Sequence, residues 1–339
     1  MLVMISEGVH RNHGPRLSAI APQVGWLRLQ DDGTLRLGDS GVAVDPTAVA
    51  PEAAFISNDV FYGPVKACFA LLEGWTSLQW VQSAAAGTEA PLYRTLVARG
   101  CRITRAHVTA VPIAEYVLRA VLTQFQQPQR LAAQQVAHVW QHQPFREIWC
   151  TNWLVVGLGA IGGEVASRAR AFGAHVVGVR RAPRGDEPVD IVCTPSQLLD
   201  PAPNADVVVL AAAGGDETRG MIGSPFFERM KPGSVFVNVA RGYMVDESAL
   251  LRALDRGVPE LAVLDVFATE PLPAESPFWD HPRVVLSPHS SGGGEGRVRR
   301  AVDVFADNLA RWLVRGPLVH EIRGHDLPRV PETWVSEKR

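Results

Sequence analysis

The sequence predicts an α/β fold made of two Rossmann-like or flavodoxin-like domains with parallel sheets. Apolar runs of strand length alternate with stretches of helical periodicity along most of the chain, which is the pattern of parallel sheets covered by helices. The length of 339 residues exceeds the usual range for one domain. A strand that begins at Trp153 runs into a glycine-rich turn, and a helix and the strand His175 to Val179 follow it. These observations predict a βαβ unit near the middle of the chain.

The turn of this βαβ unit has the pattern Gly-x-Gly-x-x-Gly, which predicts a dinucleotide site. Gly157 permits the tight turn, Gly159 lets the backbone approach a pyrophosphate, and Gly162 lets the helix pack against the strand. The predicted helix Ile161 to Phe172 follows, and the N–H groups at its start, with Ala160 and Ile161, would face the phosphates at the positive end of the helix dipole. The alternative is a glycine-rich turn with a purely structural role.

The end of the second strand indicates which dinucleotide is bound. A site for NAD usually has an acidic residue roughly 20 residues after the first glycine, where it binds the ribose 2′-hydroxyl. This chain has Arg180 and Arg181 there, and no acidic residue stands between Glu164 and Asp186. Guanidinium groups bind a 2′-phosphate by paired, charge-assisted hydrogen bonds. We therefore expect NADP(H) to be preferred, with NAD(H) as the alternative cofactor and a solvated basic loop as the alternative interpretation.

The composition is that of an ordinary globular protein. Hydrophobic residues make up 47%, charged residues 20%, and the net charge is −2, so nothing favours a nucleic-acid partner. The four cysteines are scattered without a Cys-x-x-Cys pair, and no apolar run reaches the roughly 18 residues of a membrane span. We expect a cytoplasmic protein with no membrane partner, no nucleic-acid partner and no metal site.

The part of the chain before the glycine turn gives uneven signals. Its predicted strands are Met1 to Ile5, Gly25 to Leu29, Leu78 to Ser83 and Cys101 to Thr104. Its predicted helices are Arg16 to Ala21, Val111 to Gln127 and Leu131 to Trp140. The stretch Asp31 to Gly63 is rich in Gly, Pro and Asp and shows only short signals. The residues Ser83 to Gly87 form a small-residue turn at the end of a strand, which is either an ordinary tight turn or a set of backbone N–H groups for an anion.

Two polar patterns in this region are weak candidates for chemistry. Tyr62 and Lys66 have the spacing of a proton-donor pair, but Gly63 and Pro64 between them resist a helix interior. His138 and His142 lie one helical turn apart, as metal ligands can, but no third ligand is near in the sequence. We expect Tyr62 and Lys66 not to be a proton-donor pair, and His138 and His142 to have a surface or interface role rather than to bind a metal.

Strands and helices keep alternating after the βαβ unit, which predicts one parallel sheet with right-handed crossovers. The predicted strands are Asp206 to Ala212, Ser234 to Ala240, Leu261 to Val266 and Arg283 to Ser287. The predicted helices are Pro225 to Met230, Asp246 to Arg256 and Val298 to Val314.

Three polar residues stand just past the ends of three of these strands. Arg241 directly follows one strand, Glu270 lies a few residues past the next, and His289 follows the last in Ser-Pro-His. Ligands of open parallel sheets bind at the carboxyl ends of the strands. We therefore expect all three side chains on the same edge as the glycine turn.

This combination suits reduction of a carbonyl group. A hydride arriving at the carbonyl carbon leaves negative charge on oxygen, which an imidazolium such as His289 can protonate. Glu270 would favour the charged imidazole and orient the ring. Arg241 could hold the planar carboxylate of a 2-oxo acid in a fork. Taken singly, each residue has a simpler interpretation. Arg241 could contact a phosphate, Glu270 could be an ordinary loop acid, and His289 could be a capped histidine in a loop.

These motifs resemble those of the D-isomer-specific 2-hydroxyacid dehydrogenases, and the cofactor motif is similar to that of the NADPH-dependent glyoxylate/hydroxypyruvate reductases. The matching segments are Gly157 to Gly162, Asn238 to Leu250, Leu264 to Pro273 and Ser287 to His289. The resemblance implies that Arg241 binds and polarises substrate, that Glu270 tunes the histidine and that His289 is the acid/base.

The resemblance also implies contacts and architecture that the residues alone do not. It places Asp265 beside the nicotinamide carboxamide and Ala240 among the cofactor contacts. It places the substrate carboxylate on the N–H groups of Ala85, Ala86 and Gly87. The cofactor domain, residues 103–289, would be inserted into a discontinuous substrate domain, residues 1–102 and 290–339. A homodimer with contacts in Val111 to Trp140 is implied as well.

One segment departs from the family pattern. Where the family usually has Leu-Pro-Leu-Thr, this chain has Ala212-Ala-Gly-Gly215, followed by Asp216-Glu-Thr218. A hydroxyl group and a stiff proline on the cofactor side are therefore missing. The sequence favours an NADP(H)-dependent reductase of a small 2-oxo acid such as glyoxylate or hydroxypyruvate. The alternatives are an NAD-dependent dehydrogenase of a larger or phosphorylated D-2-hydroxy acid and a cofactor-sensing interaction protein.

Overall fold

Two sheets organise the chain, one in each of two structural units. The computed structural model describes residues 1–85 and 90–322. The first unit contains Met1–Val108 and the segment from Glu295 on, and the second contains Thr109–Gly294. The sequence predicts boundaries a few residues away, at 102/103 and 289/290.

The strands and helices alternate along most of the described chain. The strands are β1 (Leu2–Ser6), β2 (Gly25–Leu29), β3 (Leu35–Leu37), β4 (Val42–Val44), β5 (Ala53–Ile56), β6 (Trp80–Ser83), β7 (Arg102–Arg105), β8 (Asn152–Val156), β9 (His175–Val179), β10 (Ile191–Cys193), β11 (Val207–Leu210), β12 (Val235–Asn238), β13 (Leu261–Leu264), β14 (Val284–Leu286) and β15 (Glu321–Ile322). The α-helices are α1 (Glu7–Ile20), α2 (Asn58–Tyr62), α3 (Val65–Gly74), α4 (Pro91–Ala98), α5 (Ala110–Gln126), α6 (Pro128–Val136), α7 (Ala160–Ala171), α8 (Ser224–Phe227), α9 (Glu247–Asp255) and α10 (Arg297–Leu313). Among these helices, none is long and apolar enough to cross a bilayer.

The sheet of the first unit has the order β15-β7-β6-β5-β1-β2-β3-β4. Its central pairs are parallel, whereas β3, β4 and β15 pair antiparallel at the two edges. Helix α10 returns to this unit from the far end of the sequence, and its Phe305 stacks on Phe55 of β5 with ring centroids 4.5 Å apart. The first unit is therefore built from both ends of the chain.

The sheet of the second unit has the order β10-β9-β8-β11-β12-β13-β14, and its strand pairs are parallel. The chain first moves outward from β8 to β10 and then returns to the other side of β8. This reversal makes the carboxyl end of β8 a topological switch point, which is where such sheets bind ligands. The fold class predicted from the sequence is confirmed.

Helices cover both faces of this second sheet, which explains the apolar runs of its strands. Trp153 and Val155 pack into a core with residues of α5 and α7. Leu154 and Val156 point the other way and pack with residues of α8 and α9. Because neighbouring side chains of a strand alternate between faces, both sets must be apolar.

Several elements differ from the prediction. The first helix spans Glu7–Ile20 rather than Arg16 to Ala21, although Pro15 lies inside it. Ser6 caps this helix by accepting a hydrogen bond from the Val9 N–H at 3.0 Å, and the buried side chains of Val9 and Leu17 stabilise it against the penalty of the proline. The sequence does not predict β3, β4, β5, β10 or β15, because strands of two to four residues leave almost no periodic signal. It also misses α2, α3 and α4, and α6 spans Pro128–Val136 rather than Leu131 to Trp140.

Candidate active site

The glycine turn at the end of β8 has a conformation that requires its glycines. Gly157 has φ +98°, and a Cβ atom there would lie 2.4 Å from Ala212 Cα. A Cβ atom on Gly162 would lie 1.8 Å from the Gly157 carbonyl oxygen. Both positions therefore exclude any side chain.

Gly159 differs from these two glycines, because a Cβ atom there would meet nothing within 4 Å. Gly159 is the N-cap of α7, so the helix begins at Ala160 with N–H groups at its open end. Open space above a helix N-terminus at a switch point fits the pyrophosphate of a dinucleotide. The residues that would hold it there are Gly157, Gly159, Ala160, Ile161 and Gly162.

Arg180 and Arg181 directly follow β9, and both contact carboxylates. Arg180 Nη1 donates a hydrogen bond to the Leu158 carbonyl oxygen at 3.2 Å and lies 3.3 Å from Glu187 Oε1. Arg181 Nη1 lies 2.9 Å from Glu217 Oε1. The sequence shows no acidic residue between Glu164 and Asp186, and both acidic partners come from outside that window. Both basic side chains after β9 are therefore paired with carboxylates, which the sequence does not predict.

Glu187 also holds the loop that follows β9. Its carboxylate accepts hydrogen bonds from the N–H groups of Arg184 at 2.7 Å and Gly185 at 2.9 Å. The bond from Arg184 is the main reason why the pKa of Glu187 lies below its ordinary value. Glu187 therefore stays charged beside Arg180.

Glu270 and His289 form a hydrogen-bonded pair, as the sequence predicts. Glu270 Oε2 lies 2.8 Å from His289 Nδ1, and Glu270 Oε1 accepts a hydrogen bond from the Phe267 N–H at 3.0 Å. Because Nδ1 faces the carboxylate, it carries a proton, and Nε2 is the nitrogen left to exchange one. The His289 side chain is 53% exposed, so a substrate can reach that nitrogen.

Arg241 follows β12 and lies within electrostatic reach of this pair. Its Nη1 donates a hydrogen bond to the carbonyl oxygen of Ala240 at 2.8 Å. The positive charge of Arg241 acts to lower the pKa of both Glu270 and His289. The structure therefore brings Arg241, Glu270 and His289 to one edge of the second sheet.

In this pair the pKa of His289 is raised and the pKa of Glu270 is lowered, and both shifts favour the charged forms. The hydrogen bond that His289 donates to Glu270 raises the pKa of His289 and outweighs the opposing effects of burial and of Arg241. Burial acts to raise the pKa of Glu270, but hydrogen bonds from His289 and the Phe267 N–H outweigh it, and this pKa is lowered. The imidazolium and the carboxylate therefore stabilise each other.

Asp265 anchors the loop that carries His289. It is 1% exposed, and its carboxylate accepts hydrogen bonds from Ser287 Oγ at 2.6 Å, the Ser290 N–H at 2.8 Å and the Ser291 N–H at 3.0 Å. Ser291 Oγ donates to the same carboxylate. The His289 N–H donates to the Asp265 carbonyl oxygen at 2.8 Å. These bonds hold His289 at φ +49°, an uncommon conformation for a residue with a side chain.

The sequence does not predict this anchoring role, because it depends on serines that resemble ordinary loop residues. The Asp265 carboxylate has about four acceptor positions, and the serine loop already supplies as many donors. The contact between Asp265 and a nicotinamide carboxamide stays a prediction. Tyr116 of α5 extends the network, since its hydroxyl group lies 2.7 Å from Ser287 Oγ.

The remaining predicted contacts involve Ala240 on the cofactor side and Ala85, Ala86 and Gly87 on the substrate side. Ala240 is buried, and its N–H donates to Asn238 Oδ1 at 3.0 Å, so it shapes the turn before Arg241. The Ala85 N–H donates to Ser83 Oγ at 3.2 Å, and it is therefore not the bare donor that the sequence predicts. Ala86 and Gly87 lie outside the described residues.

The two weak candidates gain no support. Gly63 ends α2 and Pro64 precedes α3, so Tyr62 and Lys66 do not share a helix. Within residues 1–85 and 90–322, no three His, Cys, Asp or Glu side chains come together as a metal site.

The fold and this site together define a dinucleotide-binding α/β protein with a paired acid and imidazole at its ligand edge. Residues 118–291, about half of the chain, match the model of the D-isomer specific 2-hydroxyacid dehydrogenase NAD binding domain. The chain belongs to the D-isomer specific 2-hydroxyacid dehydrogenase family, and the predicted resemblance is confirmed.

Relatives within this family are named for different activities. The chain is 35% identical to D-3-phosphoglycerate dehydrogenase from Mycobacterium leprae over 211 residues, which are 61% of this chain and 40% of the relative. It is 32% identical to glyoxylate/hydroxypyruvate reductase A from Serratia proteamaculans over 182 residues, 53% of this chain and 58% of the relative. The chain thus spans about half the length of the curated relatives it matches.

A solved structure covers nearly the whole chain. It is the D-isomer specific 2-hydroxyacid dehydrogenase from Xanthobacter autotrophicus Py2 in complex with NADPH and MES. The TM-score is 0.70 at 26% identity, over 96% of this chain and 98% of that one.

Proposed function

We propose that this protein is an NADP(H)-dependent reductase that converts a small 2-oxo acid such as glyoxylate or hydroxypyruvate to the 2-hydroxy acid. The observation that carries the proposal is the Glu270–His289 pair beside Arg241, on the edge of the sheet whose glycine turn is open at Gly159. The glyoxylate/hydroxypyruvate reductase relative and the NADPH complex of the Xanthobacter protein support it.

His289 has the central part in the proposed reaction. A bound nicotinamide, when reduced, supplies the hydride that goes to the carbonyl carbon. His289 in its protonated form gives the proton on Nε2 to the carbonyl oxygen, so that the C=O bond becomes a CH–OH group. Glu270 stays hydrogen-bonded to Nδ1 and stabilises the imidazolium before this transfer.

Arg241 has the part of orienting the substrate. Its guanidinium group presents parallel N–H donors that match a carboxylate, and its charge stabilises the developing oxyanion. The same contact fixes the carbonyl group next to the carboxylate, because both belong to one planar 2-oxo acid. We propose in addition that unit 109–294 is the dinucleotide-binding domain and that the other unit is a substrate-binding domain.

The pH dependence of reduction follows from the raised pKa of His289. Reduction needs the imidazolium, so its rate is full at low pH and falls as pH rises through the raised pKa. We expect Glu270→Gln to move this fall to lower pH, because the opposite charge that favours the imidazolium is removed. The measurement is the turnover rate of glyoxylate reduction across a range of pH.

The matched control for this experiment is Glu275→Gln, which removes an exposed carboxylate from the same loop region. The control should leave the pH profile in place. An unchanged profile in Glu270→Gln would mean that another group titrates in the reaction.

The overall function is tested by oxidation of NADPH and of NADH with glyoxylate, hydroxypyruvate, pyruvate and phenylpyruvate. We expect faster turnover with NADPH than with NADH, and faster turnover with glyoxylate and hydroxypyruvate than with pyruvate and phenylpyruvate. Turnover with NADH on a larger or phosphorylated acid would favour the dehydrogenase alternative, which the D-3-phosphoglycerate dehydrogenase relative also represents. Tight NADPH binding without turnover on any 2-oxo acid would favour a cofactor-sensing protein.

We also propose that the protein is a homodimer that works in the cytoplasm. The segment 128–145 exposes large apolar side chains close together in sequence, namely Leu131, Val136, Val139, Trp140 and Phe145. Such surfaces mark association sites, and α6 has no buried residue of its own. A mass of one chain by light scattering would contradict the dimer, and Val136→Asp should dissociate it.

The free thiols of Cys68 and Cys101 fit a reducing compartment.

A further inference from the structure

The Arg181–Glu217 ion pair joins two loops that lie on either side of the glycine turn. Arg181 follows β9, and Glu217 lies in the short 3-10 helix Asp216–Thr218 that follows β11. In the sheet, β9 and β11 are the two neighbours of β8. The pair therefore connects loops that flank the end of β8, where the turn at Gly157 begins.

The Glu217 carboxylate lies close to the backbone of the loop that precedes it. A Cβ atom on Gly215 would lie 2.4 Å from Glu217 Oε2, so a side chain there would have to move the carboxylate from its present position. Thr218 Oγ1 accepts a hydrogen bond from the Gly215 N–H at 3.1 Å and donates one to the Gly215 carbonyl oxygen at 2.8 Å. Gly214 has a similar restriction, since a Cβ atom there would lie 2.4 Å from the Tyr243 hydroxyl oxygen. The Gly214-Gly215 departure from the family pattern thus has a structural reason.

The pair is also easy to displace. The side chains of Arg181 and Glu217 are 74% and 56% exposed, and exposed ion pairs are weak. A phosphate group carries more negative charge than a carboxylate and more acceptor oxygens. A phosphate group can therefore displace the Glu217 carboxylate from Arg181. Breaking the Arg181–Glu217 pair costs free energy, and this cost is absent when Glu217 is removed.

We propose that Glu217 determines cofactor specificity by competing with the ribose 2′-phosphate for Arg181. This inference rests on the proposed NADP(H) site at the end of β9. A cofactor with a 2′-phosphate must break the Arg181–Glu217 pair, whereas one with a 2′-hydroxyl leaves the pair intact and can donate a hydrogen bond to a carboxylate. Glu217 thus lowers the preference for NADP(H) and keeps NAD(H) usable.

The test is calorimetric binding of 2′,5′-ADP and of 5′-AMP to the purified chain, two probes that differ in the 2′-phosphate alone. We expect Glu217→Gln to tighten 2′,5′-ADP binding about two- to fivefold, in keeping with the strength of an exposed pair. Binding of 5′-AMP should change less than about twofold. Glu228→Gln removes an exposed carboxylate from the same stretch of chain and should change neither affinity.

A second variant separates the carboxylate's position from its charge. Gly215→Ala keeps the charge of Glu217 but displaces its carboxylate, because the added Cβ atom takes its space. This variant should also tighten 2′,5′-ADP binding. On an Arg181→Ala background, Glu217→Gln should have no effect, because the competition is gone.

An unchanged affinity for 2′,5′-ADP in Glu217→Gln would overturn the proposal, as would an equal gain on the Arg181→Ala background. Both readouts are independent of catalysis. A failure of the proposed reductase activity would appear as absent turnover with a 2-oxo acid, while the two nucleotide affinities would still report on Glu217.

Discussion

Replacing His289 with asparagine is expected to slow the turnover of glyoxylate by about two to four orders of magnitude. General acid catalysis by a positioned side chain typically contributes on that scale. Asparagine can still hydrogen-bond Glu270 but has no group that titrates near neutral pH. The measurement is steady-state turnover at saturating NADPH and substrate, with NADPH binding measured separately by fluorescence to show that the cofactor site is intact.

His175→Asn is the matched control for this variant. His175 lies in the same unit, is also about half exposed and is also paired with an acid, with its Nδ1 atom 3.4 Å from Asp190 Oδ2. It stands at the start of β9, the end of the strand opposite to Arg180. Turnover of the control should stay within about twofold of the wild type. Near-wild-type turnover in His289→Asn would exclude His289 as the acid.

Replacing Arg241 with lysine is expected to lower the catalytic efficiency with glyoxylate by about 100-fold. Lysine keeps the positive charge but loses the planar pair of donors that fixes a carboxylate, and a small misplacement of substrate can cost a factor of that size. We expect both a higher KM and a lower kcat, because the contact both binds the acid and aims its carbonyl group. Steady-state kinetics with varied glyoxylate at saturating NADPH measure both constants.

Arg252→Lys serves as the control for this second variant. Arg252 lies on α9 of the same unit, where its Nη2 atom is 3.4 Å from Ser224 Oγ. It should retain wild-type kinetics. If Arg241→Lys also retained them, Arg241 would have to act through charge alone, and a fork-like grip on the carboxylate would be excluded.

Sequence reasoning succeeds where a physical requirement leaves a local signature. A central parallel strand must be apolar on both faces, and the predicted β8 and β9 accordingly lie within one residue of their observed ends. The turn at Gly157 and Gly162 excludes side chains, so the glycines themselves are the signal. The predicted helix α1 is too short because Pro15 and two glycines hide a helix that buried contacts and the Ser6 cap stabilise.

The residues of the candidate active site also divide into those that the sequence can predict and those that it cannot. Arg241, Glu270 and His289 are predictable because each follows a strand end, and parallel topology brings strand ends to one edge. Glu217 is not predictable as a partner of Arg181, since the two stand in loops after different strands. The anchoring by Asp265 is hidden for the same reason, because it depends on where the chain returns after β14.

The strand order of the second sheet also sets the distance that a bound ligand must span. The glycine turn closes β8, whereas Arg241, Glu270 and His289 follow β12, β13 and β14, which are the second, third and fourth strands along from β8. At about 4.8 Å per strand, these positions lie roughly 10 to 19 Å from the glycine turn. A ligand whose phosphates are held at the turn must extend over that distance to react. A dinucleotide is long enough to be held at the glycine turn and to reach these strand ends, so the strand order fits a ligand of that length.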